Sequence, residues 1–271
     1  MAYVRTRLGR WFYEERGPAD GPAVVLAHGL LFDRTMWAGQ IEPLIALGAR
    51  VLFADNPGHG QSEVPPPFSL DDHARAFVDA LDGWKVEKAA IVGLSWGGML
   101  GMRVAIAVPN RVTSLVLADT TAGEEPRVNR VKYRALASFE KHLGLPEIMA
   151  KKSIAPLLFS KATLTRDPAT FDRWYRRVVG YPRLGLYRAA KAVVIERPTI
   201  VPKLGEIQAP TLVLCGQDDV AQPIEESRNI ANGIPNATLK VVEGCGHMSA
   251  LENPTAFNRE MVPFVKEHLA R

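Results

Sequence analysis

The stretch AAIVGLSWGGMLGMRVAIAV, residues 89–108, joins two apolar segments through the turn Gly93-Leu94-Ser95-Trp96-Gly97. Its first five residues are typical of a buried strand, and Met99–Val108 predicts a helix that is buried on most sides. A sharp strand-to-helix turn holds its central side chain in a strained, exposed position, and the glycines beside it avoid a clash between a Cβ and the neighbouring backbone. Because the free N–H groups of the helix face the same point, Ser95 is a candidate nucleophile.

Other short apolar runs predict further strands, separated by segments of helical length. The predicted strands are Ala23–Ala27, Arg50–Ala54, Thr113–Ala118, Pro210–Cys215 and Leu239–Glu243. The predicted helices between and after them are Ser69–Trp84, Pro223–Gly233 and Pro254–Leu269. This alternation implies a mainly parallel sheet with helices on both faces, and Tyr3–Glu15 predicts an antiparallel hairpin at the edge.

Residues 121–200 interrupt the alternation with helical patterns such as Arg127–Leu143 and Phe171–Val179. We expect a core domain of residues 1–120 and 201–271, with residues 121–200 as a helical insertion after the sixth strand. The insertion holds 16 basic and 7 acidic residues, a net charge of +9, whereas the whole chain carries +4. Basic charge is therefore concentrated in one module; a solvated helical surface is the favoured interpretation, and attraction of an anionic substrate is the alternative.

The composition excludes several classes of protein. With 47% hydrophobic and 23% charged residues among 271, disorder, collagen and coiled coil are excluded. No run of 18 apolar residues predicts a membrane span, and the first residues carry no secretory signal. Two cysteines, Cys215 and Cys245, make no disulfide framework and point weakly to a reducing, cytoplasmic location. The net charge is too small to indicate a nucleic-acid partner.

A serine nucleophile needs a base, and His247 in Gly244-Cys245-Gly246-His247 is the best placed of six histidines, because that glycine-rich loop follows the last strand. We expect His28 and His59 to hold loops by backbone contacts, and the helical histidines to lie at the surface. Those are His73, His142 and His268.

The base needs an orienting carboxylate, and three aspartates follow strands: Asp219, its neighbour Asp218, and Asp119. Asp219 is favoured, with the other two left open. Gly29 permits close approach of the backbone to the site, so that the Leu30 amide can point towards the oxyanion. The amide of Trp96, next to Ser95, is the second candidate donor.

These motifs, in this order, resemble the α/β-hydrolase superfamily over nearly the whole chain, and within it the branch of 3-oxoadipate enol-lactonases and cofactor-free haloperoxidase-type esterases. The motifs are His28-Gly29, Asp55-Asn56-Pro57-Gly58-His59-Gly60-Gln61-Ser62, Gly93–Gly98, Leu117–Ala122, Gly216–Pro223 and Gly246-His247. The resemblance implies an eight-stranded sheet, a helical cap at residues 121–200, and Asp219 as the acid.

The same resemblance implies that Trp37 lines the acyl pocket, with core packing as the alternative. Trp96 departs from the Met or Gln common in this branch, and we expect its indole to narrow or shape that pocket. A serine nucleophile, where related dehalogenases and epoxide hydrolases use aspartate, argues against those two activities.

The predicted reaction is hydrolysis of a carboxylic ester or lactone through an acyl-enzyme. No metal or organic cofactor is expected, because no histidine or cysteine cluster has ligand spacing. The expected partner is a small ester or lactone, and an anionic substrate is the more specific alternative. Neither a nucleic-acid nor a membrane partner is expected. The oligomeric state is left open. Two rival functions are a carbon–carbon bond hydrolase with the same triad and a slow-turnover ligand receptor.

Overall fold

The computed structural model describes residues 2–269, which form a single eight-stranded sheet in the order β1-β2-β4-β3-β5-β6-β7-β8. The strands are β1 (Ala2–Thr6), β2 (Gly9–Arg16), β3 (Ala23–Ala27), β4 (Arg50–Ala54), β5 (Ala89–Leu94), β6 (Val112–Ala118), β7 (Thr211–Gly216) and β8 (Ala237–Val242). The strand β2 pairs antiparallel with β1 and β4, and the other neighbours pair in parallel. The predicted fold, with its edge hairpin, is confirmed.

Helices cover both faces of this sheet and continue between β6 and β7. The α-helices of residues 2–269 are α1 (Ala38–Ile45), α2 (Leu70–Gly83), α3 (Trp96–Ala107), α4 (Arg127–Leu143), α5 (Glu147–Met149), α6 (Ala155–Leu158), α7 (Lys161–Arg166), α8 (Ala169–Val178), α9 (Arg183–Ala190), α10 (Ile224–Gly233), α11 (Ser249–Glu252) and α12 (Pro254–His268). Short 3-10 helices lie at Arg34–Trp37, Pro109–Arg111 and Val201–Glu206, and π-helical turns at Ala150–Ile154 and Lys191–Ile195.

The two faces of the sheet belong to two hydrophobic clusters, because successive strand residues point to opposite sides. Val24 and Leu26 pack with helices α1 and α12, whereas Val25 packs with α2, α3 and α10. Ser69 begins α2 with a capping box: its hydroxyl accepts from the Asp72 amide, and the Asp72 carboxylate accepts from the Ser69 amide. The capping residues fix where a helix begins, and the alternation along a strand decides which side chains enter each hydrophobic cluster.

Between β6 and β7 the chain forms α4 to α9, and α4 has the bounds expected from its sequence pattern. Ala137 is the buried residue of that helix, so α4 lies against the molecule by a narrow face. No helix within residues 2–269 combines the length and the apolar character needed to cross a membrane.

Two expectations about histidines are wrong. His73 in α2 is completely buried, and His268 is 8% exposed and packs its ring on Phe264. His73 shares its helical face with the buried Leu70, Ala74 and Phe77, and α2 packs on α3 and β1.

Candidate active site

The turn between β5 and α3 holds Ser95 in a strained conformation, with φ of +54°. A positive φ is unfavourable for a residue with a Cβ, so the surrounding contacts must impose it. The Ser95 amide donates to the Ala118 carbonyl at 2.8 Å, and its carbonyl accepts from the Thr120 hydroxyl at 2.7 Å. Both partners lie at the end of β6, so the neighbouring strand fixes the turn.

The glycines beside Ser95 are required by space. A Cβ on Gly93 would lie 2.3 Å from the Gly97 carbonyl, and a Cβ on Gly97 would lie 1.9 Å from the carbonyl oxygen of Ala27 in β3. Helix α3 therefore starts in direct contact with the sheet, beginning at Trp96 rather than at Met99. This close approach presents Ser95 above the end of the strands.

The structure brings the three candidate catalytic side chains together in one chain of hydrogen bonds. His247 Nε2 lies 3.0 Å from Ser95 Oγ, and His247 Nδ1 lies 2.9 Å from Asp219 Oδ2. The other oxygen of Asp219 accepts from the amides of Ala221 and Gln222, each at 2.9 Å. This arrangement can take the hydroxyl proton at one ring nitrogen while the carboxylate holds the other.

The surroundings of His247 decide its charge. Burial favours the neutral ring, but the charge of Asp219 and the hydrogen bond to it outweigh burial, with smaller contributions from Asp119 and Glu252. The pKa of His247 is therefore raised above its ordinary value of 6.5. Such a base is well suited to accept a proton, because the imidazolium is stabilised.

Of the two rival aspartates, neither bonds to His247 within residues 2–269. Asp218 is exposed. Asp119 is buried, and its carboxylate accepts from the Gly216 amide at 2.7 Å and from the amide and hydroxyl of Ser249. Burial and the neighbouring charge of Asp219 raise the pKa of Asp119. Asp119 thus ties together the loops that carry the other two groups.

One carboxylate oxygen each of Asp119 and Asp219 and the Sγ atom of Cys215 lie within 4.8 Å of one another. In residues 2–269 this is the group of side chains whose spacing would suit a metal ion. The two carboxylates already accept hydrogen bonds from Gly216, Ser249, Ala221 and His247. These bonds account for the acidic groups without a metal.

The candidate oxyanion donors lie on two backbone segments that meet at Ser95. A Cβ on Gly29 would lie 3.5 Å from the Cβ of Ser95, so the loop carrying Leu30 packs against the nucleophile turn. Within residues 2–269, neither the Leu30 nor the Trp96 amide donates to a protein acceptor. Both N–H groups are therefore free for a ligand oxygen.

The next residue, Leu31, has a φ of +67°, and contacts on both of its sides hold it there. Its amide donates to His59 Nε2 at 3.2 Å, and its carbonyl accepts from the Trp174 indole at 3.2 Å. His28 holds the preceding turn, because its Nε2 accepts from the Asn56 amide at 2.7 Å. The expected loop-holding roles of His28 and His59 match these contacts.

The two tryptophans expected near an acyl pocket lie elsewhere. Trp37 is fully buried and packs with Phe257, which favours core packing. The Trp96 indole is also fully buried, 5.0 Å from the ring of His73 and 5.3 Å from that of His59, measured between centroids. Neither Trp37 nor Trp96 is among the residues that line the cavity described next.

A cavity of about 220 Å³ lies between the core and the helices that follow β6. Apolar lining comes from Phe32, Met36, Trp174 and Leu251, basic lining from Arg166, Arg173 and Arg177, and acidic lining from Asp33, Asp167 and Glu252. The lining includes Leu31 of the oxyanion loop and Glu252, five residues after His247, but neither Ser95 nor His247 themselves.

Residues 24–260 match the model of the alpha/beta hydrolase family. The chain belongs to this family. Of the hydrolases it resembles, 2-hydroxy-6-oxononadienedioate/2-hydroxy-6-oxononatrienedioate hydrolase of Cupriavidus pinatubonensis is 31% identical over 91% of this chain and 88% of the relative.

Two solved hydrolase structures are also similar to this chain. The enol-lactonase from Burkholderia xenovorans has a TM-score of 0.90 at 25% identity, with 97% of this chain and 99% of that chain covered. The thermophilic esterase from Thermogutta terrifontis, with malate bound, has a TM-score of 0.90 at 27% identity, with 99% and 100% covered. The chain is therefore a hydrolase by family and by fold.

Sequence reasoning missed two buried carboxylates of this hydrolase. Asp119 was considered as the triad acid, not as a link between loops, and Glu252 was not considered at all. A glutamate is ordinarily exposed, so residue type gave no signal for the burial of Glu252.

Proposed function

We propose that this chain is a serine hydrolase that cleaves a carboxylic ester or lactone through an acyl-enzyme. Ser95 attacks the carbonyl while His247 accepts its proton, and Asp219 orients and stabilises the imidazolium. The amides of Leu30 and Trp96 hold the oxyanion, and His247 then activates water to release the acid. The observation that carries the proposal is His247 within hydrogen-bond distance of both Ser95 and Asp219.

The test is Ser95→Ala, assayed on a panel of p-nitrophenyl esters and lactones of graded size. We expect kcat to fall by roughly 10⁵-fold or more, because one oxygen atom carries the covalent step. Ser114→Ala is the matched control, since Ser114 is fully buried and its hydroxyl has no partner within residues 2–269. An esterase rate of Ser95→Ala close to that of Ser114→Ala would refute the proposal.

A second candidate function is carbon–carbon bond hydrolysis, which the name of the 31% identical relative favours. The same three side chains serve either reaction, so substrate preference decides. Comparing kcat/KM for vinylogous diketones with kcat/KM for simple esters separates the two candidates.

We further propose that the substrate is anionic and occupies the cavity beneath the helices, with residues 121–200 acting as its cap. Arg173 pairs with Asp167 and Arg177 with Asp33, but Arg166 donates to Thr163 and to the Glu252 carbonyl at 3.0 Å. No acidic side chain within residues 2–269 pairs with Arg166, so its charge is free for a carboxylate. The dioate named for the relative and the malate bound in the esterase are both dicarboxylates.

For this proposal, Arg166→Gln is compared on two acyl chains of equal length, one ending in a carboxylate and one in its methyl ester. We expect kcat/KM for the anionic ester to fall about fivefold and that for the neutral ester to stay constant, because the exposed charge is partly screened by solvent. Arg134→Gln on α4, which does not line the cavity, is the control. Equal effects on both esters would contradict an anion site.

A further inference from the structure

Glu252, the last residue of α11, is a charged side chain held almost entirely inside the protein at 6% exposure. One carboxylate oxygen accepts from the Gly246 amide at 2.9 Å and the Met248 amide at 3.2 Å, and the other from the Ser160 amide at 2.8 Å. Hydrogen bonds to a buried charge are among the strongest in proteins, so these three amides are firmly placed.

Two of the three amides belong to the residues on either side of His247. The backbone amide of Glu252 also donates to the Met248 carbonyl at 2.8 Å, so backbone and side chain of Glu252 both hold the segment that carries His247. The third amide, that of Ser160, comes from the turn between α6 and α7. A Cβ on Gly246 would lie 2.8 Å from the Ser160 nitrogen, so the two segments are in direct contact.

We propose that Glu252 is a positioning residue for His247, fixing the loop that presents the imidazole to Ser95 and placing a negative charge near that ring. The inference rests on the proposed role of His247 as the base. Glu252 would thus be a fourth side chain on which the site depends, besides Ser95, His247 and Asp219, and it would act through backbone amides.

Three carboxylates act on His247 from different elements: Asp219 after β7, Asp119 after β6 and Glu252 in α11. Asp219 bonds to the ring, whereas the other two act through space and favour the charged imidazole. Removing the charge of Glu252 therefore lowers the pKa of His247, a result that loss of packing alone does not predict.

Two substitutions separate geometry from charge. Glu252→Gln keeps the shape but removes the charge and places an amide N–H₂ among three N–H donors, whereas Glu252→Asp keeps the charge but shortens the reach. We expect kcat to fall about tenfold to a hundredfold in both, with KM little changed. The acidic limb of kcat/KM moves to lower pH in Glu252→Gln and stays nearer to wild type in Glu252→Asp.

The charge-matched control is Glu267→Gln on α12, where the glutamate is exposed. We expect its kcat and its acidic limb to equal those of wild type. If Glu252→Gln gave the same values as Glu267→Gln, the inference would be overturned. Should Glu252→Gln fail to fold, Glu252→Asp carries the test, since a wild-type kcat in that variant also overturns it.

A measurement without turnover distinguishes this inference from the proposed function. The His247 imidazole is titrated by NMR in the free protein, with its resonance assigned by its loss in His247→Gln. A lower His247 pKa in Glu252→Gln than in Glu267→Gln supports the electrostatic part even if Ser95→Ala retains activity. An unchanged pKa rejects it even if Ser95→Ala is inactive.

Discussion

The nucleophile turn and the histidine loop are held in place by different means. Around Ser95 the contacts are made mostly by backbone, through an amide to the Ala118 carbonyl and glycines packed against neighbouring peptide groups, with the uncharged Thr120 hydroxyl as the side-chain donor. Around His247 they are made by carboxylates: Glu252 binds the two flanking amides, and Asp219 binds the ring.

Each half of the site is therefore vulnerable to a different kind of substitution. The turn depends on volume, so an added methyl group damages it while a change of charge nearby does not. The loop depends on charge, so replacing a carboxylate by its amide damages it at almost constant volume. Three substitutions, in order of decreasing effect, test this contrast.

The largest effect is expected for Gly97→Ala, whose Cβ would lie 1.9 Å from the Ala27 carbonyl oxygen and 2.6 Å from its carbon. Neither backbone atom can move without disturbing β3, so we expect the free energy of unfolding to fall by about 3 kcal/mol or more. Urea denaturation measures it. The control is Gly101→Ala in the same helix, where the nearest atoms outside that helix are 3.4 Å away. Equal stability of the two variants would contradict the steric account.

The second effect is on activity rather than on stability. Asp219→Asn keeps the shape of the side chain but no longer fixes the imidazole tautomer, so we expect kcat to fall by roughly 10³–10⁴-fold with little change in melting temperature. Asp218→Asn is the adjacent control, since Asp218 is exposed. A larger loss in Asp218→Asn, or in Asp119→Asn, would reassign the acid.

The smallest effect concerns His73, which packs beside Trp96 behind the nucleophile turn. Burial lowers the pKa of His73 to about 3, so the folded protein keeps the ring neutral while the unfolded chain binds a proton below about pH 6.5. Stability is therefore lost as pH falls from 6.5 towards 3. Removing this linkage in His73→Leu should reduce the loss between pH 7 and pH 5 by about 2 kcal/mol.

Urea denaturation at both pH values measures the effect of His73→Leu. The control is His142→Leu, because His142 is exposed. If both variants lose stability with falling pH as steeply as wild type, His73 is not responsible for the acid sensitivity.

The same contrast explains what the sequence could predict. The strands and the turn at Ser95 depend on neighbours in the chain, so apolar runs and glycines were sufficient. The choice of Asp219 over Asp218 depends on which one is buried beside residue 247, and the residues alone left it open. Glu252 was not predicted because its carboxylate bonds to backbone amides, which no residue pattern marks, and one of these, that of Ser160, lies 92 positions away.

The burial of His73 and of Trp37 was indicated by the sequence only in part. The helical period places His73 on the face of Leu70 and Phe77, so spacing indicated burial and assignment by residue type was wrong. For Trp37 both placements agreed with the sequence, and packing against Phe257 in α12, more than 200 residues later, decided between them.

The indole N–H of Trp174 in α8, which donates to the Leu31 carbonyl, limits how far this protein can be shortened. Leu31 sits at a positive φ between that donor and the ring of His59. A miniaturised chain with only the sheet and its two helical layers would lose one of these two supports. Engineering a smaller catalyst from this scaffold therefore requires a replacement donor at that carbonyl.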